Sequence, residues 1–341
     1  MLNCVYRLVS PRTIEPVQVD VAVGPEDVVV RPTHLSICNA DQRYFQGRRS
    51  ARAMAKKLPM ALIHEGIGRV AWSSNGMFEP GQRVVMLPNN PVETDDVIKE
   101  NYLRSSQFCG SGYDGFMQEL VVLPASRVIA LPDSISDEVS AFTELVSVAV
   151  HAVSRFGEIA HVRRETVGVW GDGNVGFIVS LVLRSIYPNM NIVVFGRNAY
   201  KLADFTFVDQ TFLTTDAANA PLIDHAFECC GGDGAASAIG QIIDTIKPEG
   251  TISLMGVSEN PVPVNTRMVL EKGLRMFGSS RSGRLDFERT LQLYREHPQI
   301  ASYLESLVGT VNDVASIRDI AHAFDADARK PMGKTIMRWN M

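Results

Sequence analysis

The chain has 341 residues, which suggests two domains at about 150 residues per domain. Hydrophobic residues make up 45% and charged residues 21%, which excludes a disordered, collagenous or fibrous protein. The 33 Lys and Arg residues against 38 Asp and Glu residues give a formal charge of -5, and this acidic balance argues against nucleic-acid binding.

The cysteines, the N-terminal residues and the apolar runs indicate the cellular compartment of the protein. Five cysteines, with no C-x-x-C pattern, predict a reducing compartment and no disulfide framework. Residues 1–12 lack the apolar core of a signal peptide. The most apolar runs, Leu145–Val153 and Val175–Leu183, are too short to span a bilayer. We therefore expect a cytoplasmic protein that does not contact membranes.

The first part of the chain is predicted to be rich in strands. Gly and Pro separate short apolar runs that favour β-structure, and closely spaced short strands indicate a barrel or sandwich. The predicted strands are Val17–Val23, Asp27–Pro32, Gly66–Trp72, Arg83–Leu87 and Glu119–Leu123.

The pattern changes near Asp137, where Ser136–Phe156 has apolar residues at helical spacing. After it, strands are predicted at Thr166–Trp170, Asn191–Phe195, His225–Glu228 and Thr251–Gly256. Helices are predicted between them at Val175–Tyr187, Lys201–Phe207 and Ala235–Ile246. This alternation indicates an α/β domain with a doubly wound parallel sheet.

The tail, from Asp286, is predicted to add one or two helices and a closing strand at Lys334–Trp339. Such a tail often returns to the first domain. We therefore expect a β-rich domain of residues 1–147, completed by residues 284–341, with an α/β domain of residues 148–283 inserted into it.

A glycine-rich turn opens the predicted α/β domain. Gly171-Asp172-Gly173-Asn174-Val175-Gly176 matches G-x-G-x-x-G, follows a predicted strand and begins a predicted helix. The glycines permit a tight turn, close approach of a pyrophosphate and close helix packing, while helix amides face the phosphates. A dinucleotide site is predicted at Gly171, Gly173, Asn174, Val175 and Gly176. The alternative is a glycine turn without a ligand.

The end of the second predicted strand indicates which dinucleotide binds. NAD-binding domains usually carry Asp or Glu there to hold the ribose 2′-OH. This chain has Gly196 and Arg197, with Lys201 one helical turn later. Arg197 suits a 2′-phosphate and Lys201 adds a second cation, so NADP(H) is predicted over NAD(H). Alternatively, Arg197 is a surface residue and both cofactors bind.

Four residues have the chemistry of a metal site: Cys38, His64, Glu65 and Glu144. One thiolate, one imidazole and one or two carboxylates are sufficient for a catalytic zinc with an open position. Each residue also has an ordinary explanation, since a lone Cys is usually a small buried hydrophobe and a Glu early in a helix often serves the macrodipole. Spacing alone leaves both explanations open.

A basic cluster lies between Arg43 and Lys57 on this acidic chain. It is either a solvated surface or a local site for an anion.

In its order of motifs, the whole chain resembles the zinc-containing medium-chain alcohol and polyol dehydrogenases. The resemblance is carried by Cys38, the His64-Glu65 pair with the glycine-rich strand after it, Glu144 and the dinucleotide turn. It implies a GroES-like catalytic domain and a Rossmann domain, with the active site in the cleft between them. It also implies a homodimer paired through an edge of the Rossmann sheet, for which Thr251–Val264 is our candidate.

Phrases along the chain are similar to one subgroup, the ribulose-5-phosphate reductases. The phrases are Leu58–Gly66, Glu93–Ile98, Asp114–Gln118, Trp170–Gly176, Val264–Arg267 and Gly278–Gly283. This resemblance implies a zinc-dependent enzyme that prefers NADPH and makes D-ribitol 5-phosphate for wall teichoic acid or capsule polymers. A ribitol-5-phosphate cytidylyltransferase would then use the product.

Carried over by position, the resemblance makes Cys38, His64 and Glu144 the zinc ligands. Glu65 is then a fourth ligand or a neighbour that exchanges with water. It implies that zinc polarises the C2 ketone oxygen while the nicotinamide delivers hydride to C2.

Two departures from the family pattern stand out. Ala40 replaces the Ser or Thr that relays the substrate proton in many members, so water, Asp41 or another group must do so here. Residues 88–112 contain only Cys109 where many members have four cysteines, so we expect no structural zinc.

The substrate phosphate requires a cation, and our candidates are Arg43, Arg49, Lys57 and Arg281. The main alternative function is a zinc-dependent dehydrogenase of an unphosphorylated polyol. A zinc-free quinone or enoyl reductase of the same fold, or an NADP-binding protein without turnover, would conflict with the ligand set.

Overall fold

The structure, a computed structural model, describes residues 1–341. The strands, in chain order, are β1 (Leu2–Ser10), β2 (Thr13–Asp20), β3 (Asp27–Ile37), β4 (Met60–Ala61), β5 (Glu65–Ser73), β6 (Arg83–Met86), β7 (Asn89–Asn90), β8 (Gln107–Phe108), β9 (Val121–Pro124), β10 (Val128–Ala130), β11 (Thr166–Trp170), β12 (Asn191–Gly196), β13 (Gln210–Leu213), β14 (Ile223–Glu228), β15 (Ile246–Leu254), β16 (Arg275–Gly278), β17 (Val308–Val314) and β18 (Lys334–Trp339).

The helices, in chain order, are α1 (Asn39–Phe45), α2 (Ala51–Lys57), α3 (Asp137–Ser140), α4 (Thr143–Ile159), α5 (Asn174–Ile186), α6 (Ala199–Leu202), α7 (Ala235–Thr245), α8 (Thr266–Glu271), α9 (Arg284–Glu296), α10 (Gln299–Glu305) and α11 (Ile317–Arg329). The chain divides into two units, Met1–Leu145 with Ser282–Met341, and Val146–Arg281. None of the helices is both long enough and apolar enough to span a membrane.

The first unit is built on β3. This strand pairs with β5, β9 and β18, all antiparallel, in a sheet with the order β10-β6-β5-β3-β18-β17. A second sheet has the order β2-β1-β4. The register sets Ser36 opposite Glu65 and Ile37 opposite Thr335, so the end of β3 lies beside the beginnings of β5 and β18. The residues around these three strand ends form the candidate metal site.

The second unit contains one six-stranded sheet in the order β13-β12-β11-β14-β15-β16, with every neighbouring pair parallel. This is the strand order of a Rossmann fold, 3-2-1-4-5-6. The central strands β11, β12 and β14 are nearly continuous runs of buried residues, as expected for a parallel sheet covered on its faces. Trp170 stacks on Phe195 with ring centroids 3.8 Å apart at the carboxyl ends of β11 and β12.

The fold class predicted from the sequence is confirmed, but four details were wrong. The helix predicted at Lys201–Phe207 is instead the short α6, Ala199–Leu202, which ends before most of the predicted residues. The sheet edge expected at Thr251–Val264 lies at β16 instead, because β15 has strands on both sides. The tail holds three helices and the extra strand β17 rather than one or two helices. Ser136–Phe156 is not one helix, since it divides into α3 and α4.

Candidate metal and cofactor sites

Cys38 directly follows β3 and is the N-cap residue of α1. The backbone N–H of Cys38 donates to Asp41 Oδ2 at 3.0 Å, so the carboxylate three residues later closes the first turn in the manner of a capping box. Asp41 is buried, with 1% of its surface exposed. The sequence therefore fixes the position of Cys38 through local helix capping.

His64 lies in the connection between β4 and β5, immediately after Ile63. Ile63 has φ 71°, a left-handed conformation that is rare for a β-branched residue. Its N–H donates to Asp41 Oδ1 at 3.0 Å, and the same oxygen lies 3.6 Å from His64 Nδ1. Asp41 thus holds the turn before His64 and faces Nδ1, which leaves Nε2 as the nitrogen for a metal.

Glu65 begins β5, and its side chain is fully buried against Lys334, the first residue of β18. Lys334 Nζ lies 2.9 Å from Glu65 Oε1 and 2.8 Å from Oε2, and it also donates to the carbonyl of Ile37 at 3.0 Å. Because Ile37 precedes Cys38, the lysine connects the strand ends that carry two of the predicted ligands. Full burial makes this ion pair sensitive to the loss of either partner.

Three of the four predicted ligands come together. The ligand atoms of Cys38, His64 and Glu65 all lie within 4.8 Å of one another. Glu144 is not in this group, but it is buried in the first turn of α4 and its charge interacts with His64 and Glu65. Burial, partly offset by His64, raises the pKa of Glu144 to about 7.

The donor set fits a zinc ion. Burial lowers the pKa of His64, but the Asp41 carboxylate and the Cys38 thiol outweigh this effect and raise it well above its usual value. A buried site with an excess of negative groups favours a cation, and sulfur, nitrogen and oxygen donors together are a combination that zinc accepts. Asp41 cannot readily serve as a proton relay, since both of its oxygens accept backbone N–H groups.

The glycine-rich turn has the geometry that its pattern predicts. Gly171 has φ 136°, and its N–H donates to the carbonyl of Phe195 at 2.8 Å. A Cβ on Gly176 would lie 1.9 Å from the Gly171 carbonyl oxygen, whereas a Cβ on Gly173 would meet no atom within 4 Å. Gly173 is the N-cap of α5, whose first residues are Asn174 and Val175. The open side of the turn can therefore accept a pyrophosphate.

A cavity of about 540 Å³ lies beside this turn. Gly171, Gly173 and Arg197 line it, and Arg197 is exposed. Lys201 is not among the lining residues, and its Nζ lies 5.9 Å from the ring centroid of Tyr200. The structure therefore brings the turn together with Arg197, but not with Lys201.

Of the four candidate phosphate-binding residues, two lie against the same aromatic ring. The Arg49 guanidinium lies 5.0 Å from the ring centroid of Tyr44, and Lys57 Nζ lies 5.6 Å from it. Lys57 Nζ also donates to Ser111 Oγ at 2.8 Å. Arg43 is in the last turn of α1, whereas Arg281 belongs to the second unit.

Sequence reasoning missed two residues that shape the metal site. The positioning role of Asp41 had a signal, because an acidic residue three positions after an N-cap is the capping-box pattern. Lys334 had none, since 269 residues separate it from Glu65.

Comparisons with known proteins agree with this architecture. The family model for the alcohol dehydrogenase GroES-like domain matches residues 24–133. The chain is 54% identical to the ribulose-5-phosphate reductase of Bacillus spizizenii and 50% identical to ribulose-5-phosphate reductase 1 of Staphylococcus aureus, with 100% of each chain covered. The crystal structure of S. aureus TarJ in complex with NADPH matches with a TM-score of 0.90 at 45% identity, over 100% of both chains. The predicted family is thus confirmed, and the chain belongs to the ribulose-5-phosphate reductases, within the medium-chain dehydrogenases that combine a GroES-like and a Rossmann domain.

Proposed function

We propose that this chain catalyses the zinc- and NADPH-dependent reduction of D-ribulose 5-phosphate to D-ribitol 5-phosphate. The observation that carries the proposal is the 54% identity to a ribulose-5-phosphate reductase over the whole of both chains. The geometry supports it, because one chain combines clustered thiol, imidazole and carboxylate groups with a dinucleotide turn.

We assign one zinc ion to Cys38, His64 and Glu144, with Glu65 as a fourth ligand or as a neighbour that exchanges with water. Bound zinc supplies Lewis acidity toward a ketone oxygen, and NADPH supplies the hydride. Asp41 orients His64, and Lys334 balances the charge of Glu65. We propose no structural zinc, since Cys109 is the only cysteine in residues 88–112.

We assign NADPH to the second unit. The glycines of the turn, Gly171, Gly173 and Gly176, admit the pyrophosphate, and the backbone amides of Asn174 and Val175 face it at the start of α5. Arg197 binds the 2′-phosphate, with Lys201 as a second cation. In domain terms, residues 148–283 form the cofactor domain, and residues 1–147 with 284–341 form the catalytic domain.

The substrate assignment can be tested with purified protein. NADPH oxidation should be fastest with ribulose 5-phosphate and slower by about one to two orders of magnitude with ribulose or fructose, because a charge-assisted phosphate contact contributes roughly 1.5–3 kcal/mol. A zinc chelator should abolish the activity. Equal rates with ribulose would favour the alternative function, a dehydrogenase of an unphosphorylated polyol.

The substrate phosphate site is predicted among Arg43, Arg49, Lys57 and Arg281, and the shared contact with Tyr44 favours Arg49 and Lys57. Arg49→Ala should raise KM for ribulose 5-phosphate roughly 10- to 100-fold and leave KM for NADPH nearly unchanged, since only the sugar phosphate loses a partner. Steady-state kinetics of both substrates measures this. Arg52→Ala is the matched control, because Arg52 is an exposed residue of the same basic segment. A KM that changes equally in both variants would place the phosphate elsewhere.

The proposed product, D-ribitol 5-phosphate, would serve as the substrate of a second enzyme. We propose that a ribitol-5-phosphate cytidylyltransferase uses it to supply wall teichoic acid or capsule synthesis.

We also propose a homodimer that pairs through β16, because an edge strand offers unpaired backbone groups to a second copy. The molar mass from light scattering tests the dimer.

A further inference from the structure

The end of β12 is held by a residue of the glycine turn. Asp172 Oδ2 accepts three hydrogen bonds, from the backbone N–H of Arg197 at 2.8 Å, the backbone N–H of Asn198 at 2.8 Å and the side-chain amide of Asn198 at 2.9 Å. These donors follow β12 directly, and Asp172 lies 25 residues before Arg197. One carboxylate oxygen thus clamps the segment that carries Arg197 to the turn that receives the pyrophosphate.

The same side chain fills the space above Gly196, the buried last residue of β12. A Cβ on Gly196 would lie 2.6 Å from Asp172 Cβ and 2.9 Å from Asp172 Oδ2. It would also lie 2.8 Å from Leu202 Cδ2, but that methyl is the far end of a flexible side chain and can move. Asp172 Cβ cannot move without its backbone, so Asp172 excludes any side chain at position 196.

Position 196 is where a Rossmann domain that binds NAD carries its acidic residue, because that residue ends the second strand and holds the ribose 2′-OH. In this chain the carboxylate near that place comes instead from the glycine turn, and it is engaged by N–H donors. Oδ2 of this acid is therefore used to order the end of β12, although Asp172 also lines the cavity beside the turn.

We propose that Asp172 and Gly196 act as a coupled pair that sets cofactor specificity. Asp172 is a positioning residue that orders the Arg197 segment for a 2′-phosphate, and its Cβ prevents position 196 from acquiring the acid of an NAD site. The inference rests on the proposed use of NADPH. It states in addition that a change at position 196 alone cannot convert the enzyme to NADH.

The first test concerns the clamp. Asp172→Ala should raise the dissociation constant for NADPH about tenfold and change that for NADH little, because the disordered Arg197 segment matters only to the 2′-phosphate. Titration calorimetry measures both constants. The ratio of the two constants is the deciding quantity, because general damage to the turn would raise both of them. Asp172→Asn keeps an acceptor oxygen of the same size and should bind NADPH within about threefold of the wild type. An unchanged ratio of the two constants in Asp172→Ala would overturn the positioning role.

The second test concerns the coupling. Gly196→Asp alone should weaken the binding of both cofactors, because its Cβ collides with Asp172. The double variant Asp172→Gly with Gly196→Asp removes that Cβ and should bind NADH at least about tenfold more tightly than Gly196→Asp. The double variant Asp172→Ala with Gly196→Asp keeps the Cβ and should not recover. If Gly196→Asp alone gains NADH affinity as large as the Asp172→Gly double variant, the proposal is wrong.

A third measurement needs no cofactor and applies even if Gly196→Asp does not fold. Gly196→Ala adds only the colliding Cβ, so it should lower the unfolding temperature, and adding Asp172→Gly should restore part of that loss. Additive effects of the two changes on the unfolding temperature would contradict the collision. Failure of the proposed function would be seen separately, as a wild-type protein that does not prefer NADPH to NADH.

Discussion

The variant Cys38→Ser should bind no zinc. Its kcat/KM with ribulose 5-phosphate should be at least about a thousandfold lower than that of the wild type. A Lewis acid stabilises developing negative charge by several kcal/mol, and about 4 kcal/mol corresponds to a thousandfold in rate. The thiol is the one soft donor in the cluster, which otherwise has an imidazole and a carboxylate. Atomic absorption gives the zinc content per chain, and NADPH oxidation gives the rate.

The chain provides a matched control for this change in Cys109. Cys109 is the only thiol in the segment where related dehydrogenases carry a structural zinc, and burial raises its pKa to about 12, which disfavours the thiolate that a metal requires. Cys109→Ala should therefore keep one zinc per chain and most of the activity. A wild-type protein with two zinc ions, or a Cys38→Ser variant that keeps its zinc, would refute the assignment of a single catalytic site.

The features predicted well from the sequence are those with local signals. β11 was placed at Thr166–Trp170 with both ends correct, because an apolar run stops at the glycine turn. β18 was likewise placed correctly at Lys334–Trp339. The structure brings Cys38, His64 and Glu65 together through the antiparallel register that sets the start of β5 beside the end of β3, whereas Glu144, which family order also places among the ligands, is not in that group.

The features that were missed depend on contacts between distant parts of the chain. Nothing near Lys334 in the sequence marks it as the partner of Glu65, because β18 reaches β3 only through the sheet. β16 was missed for a different reason: as an edge strand it is short and half exposed, so it lacks the apolar run that revealed β11. Asp172 stands inside a recognised motif at a position where any residue is allowed, and only the structure shows its three donors.

Lys334→Met should lower the free energy of unfolding by about 3–5 kcal/mol, because it leaves a buried carboxylate without its counter-charge. The side chains of Lys334 and Glu65 are 3% and 0% exposed, so water cannot replace the lost partner. Urea-induced unfolding of the protein after zinc is removed with a chelator measures the change, because no metal ion then neutralises Glu65. Burial lowers the pKa of Lys334, but Glu65 and Cys38 outweigh it, so the net pKa is raised above 10.5. The stabilisation is thus fully present at neutral pH and disappears only as the pH rises through that higher value.

Two further variants separate the buried pair from a general effect of changing β18. Arg338 lies on β18, as Lys334 does, and forms an ion pair with Glu138 of α3. Its side chain is 48% exposed, so Arg338→Met should lower the free energy of unfolding by at most about 1 kcal/mol. Glu65→Gln combined with Lys334→Met removes both charges and should recover much of the stability lost in Lys334→Met, since no unpaired charge then stays buried. Equal losses in Lys334→Met and Arg338→Met, or no recovery in the double variant, would show that Lys334 acts by packing and not by neutralising Glu65.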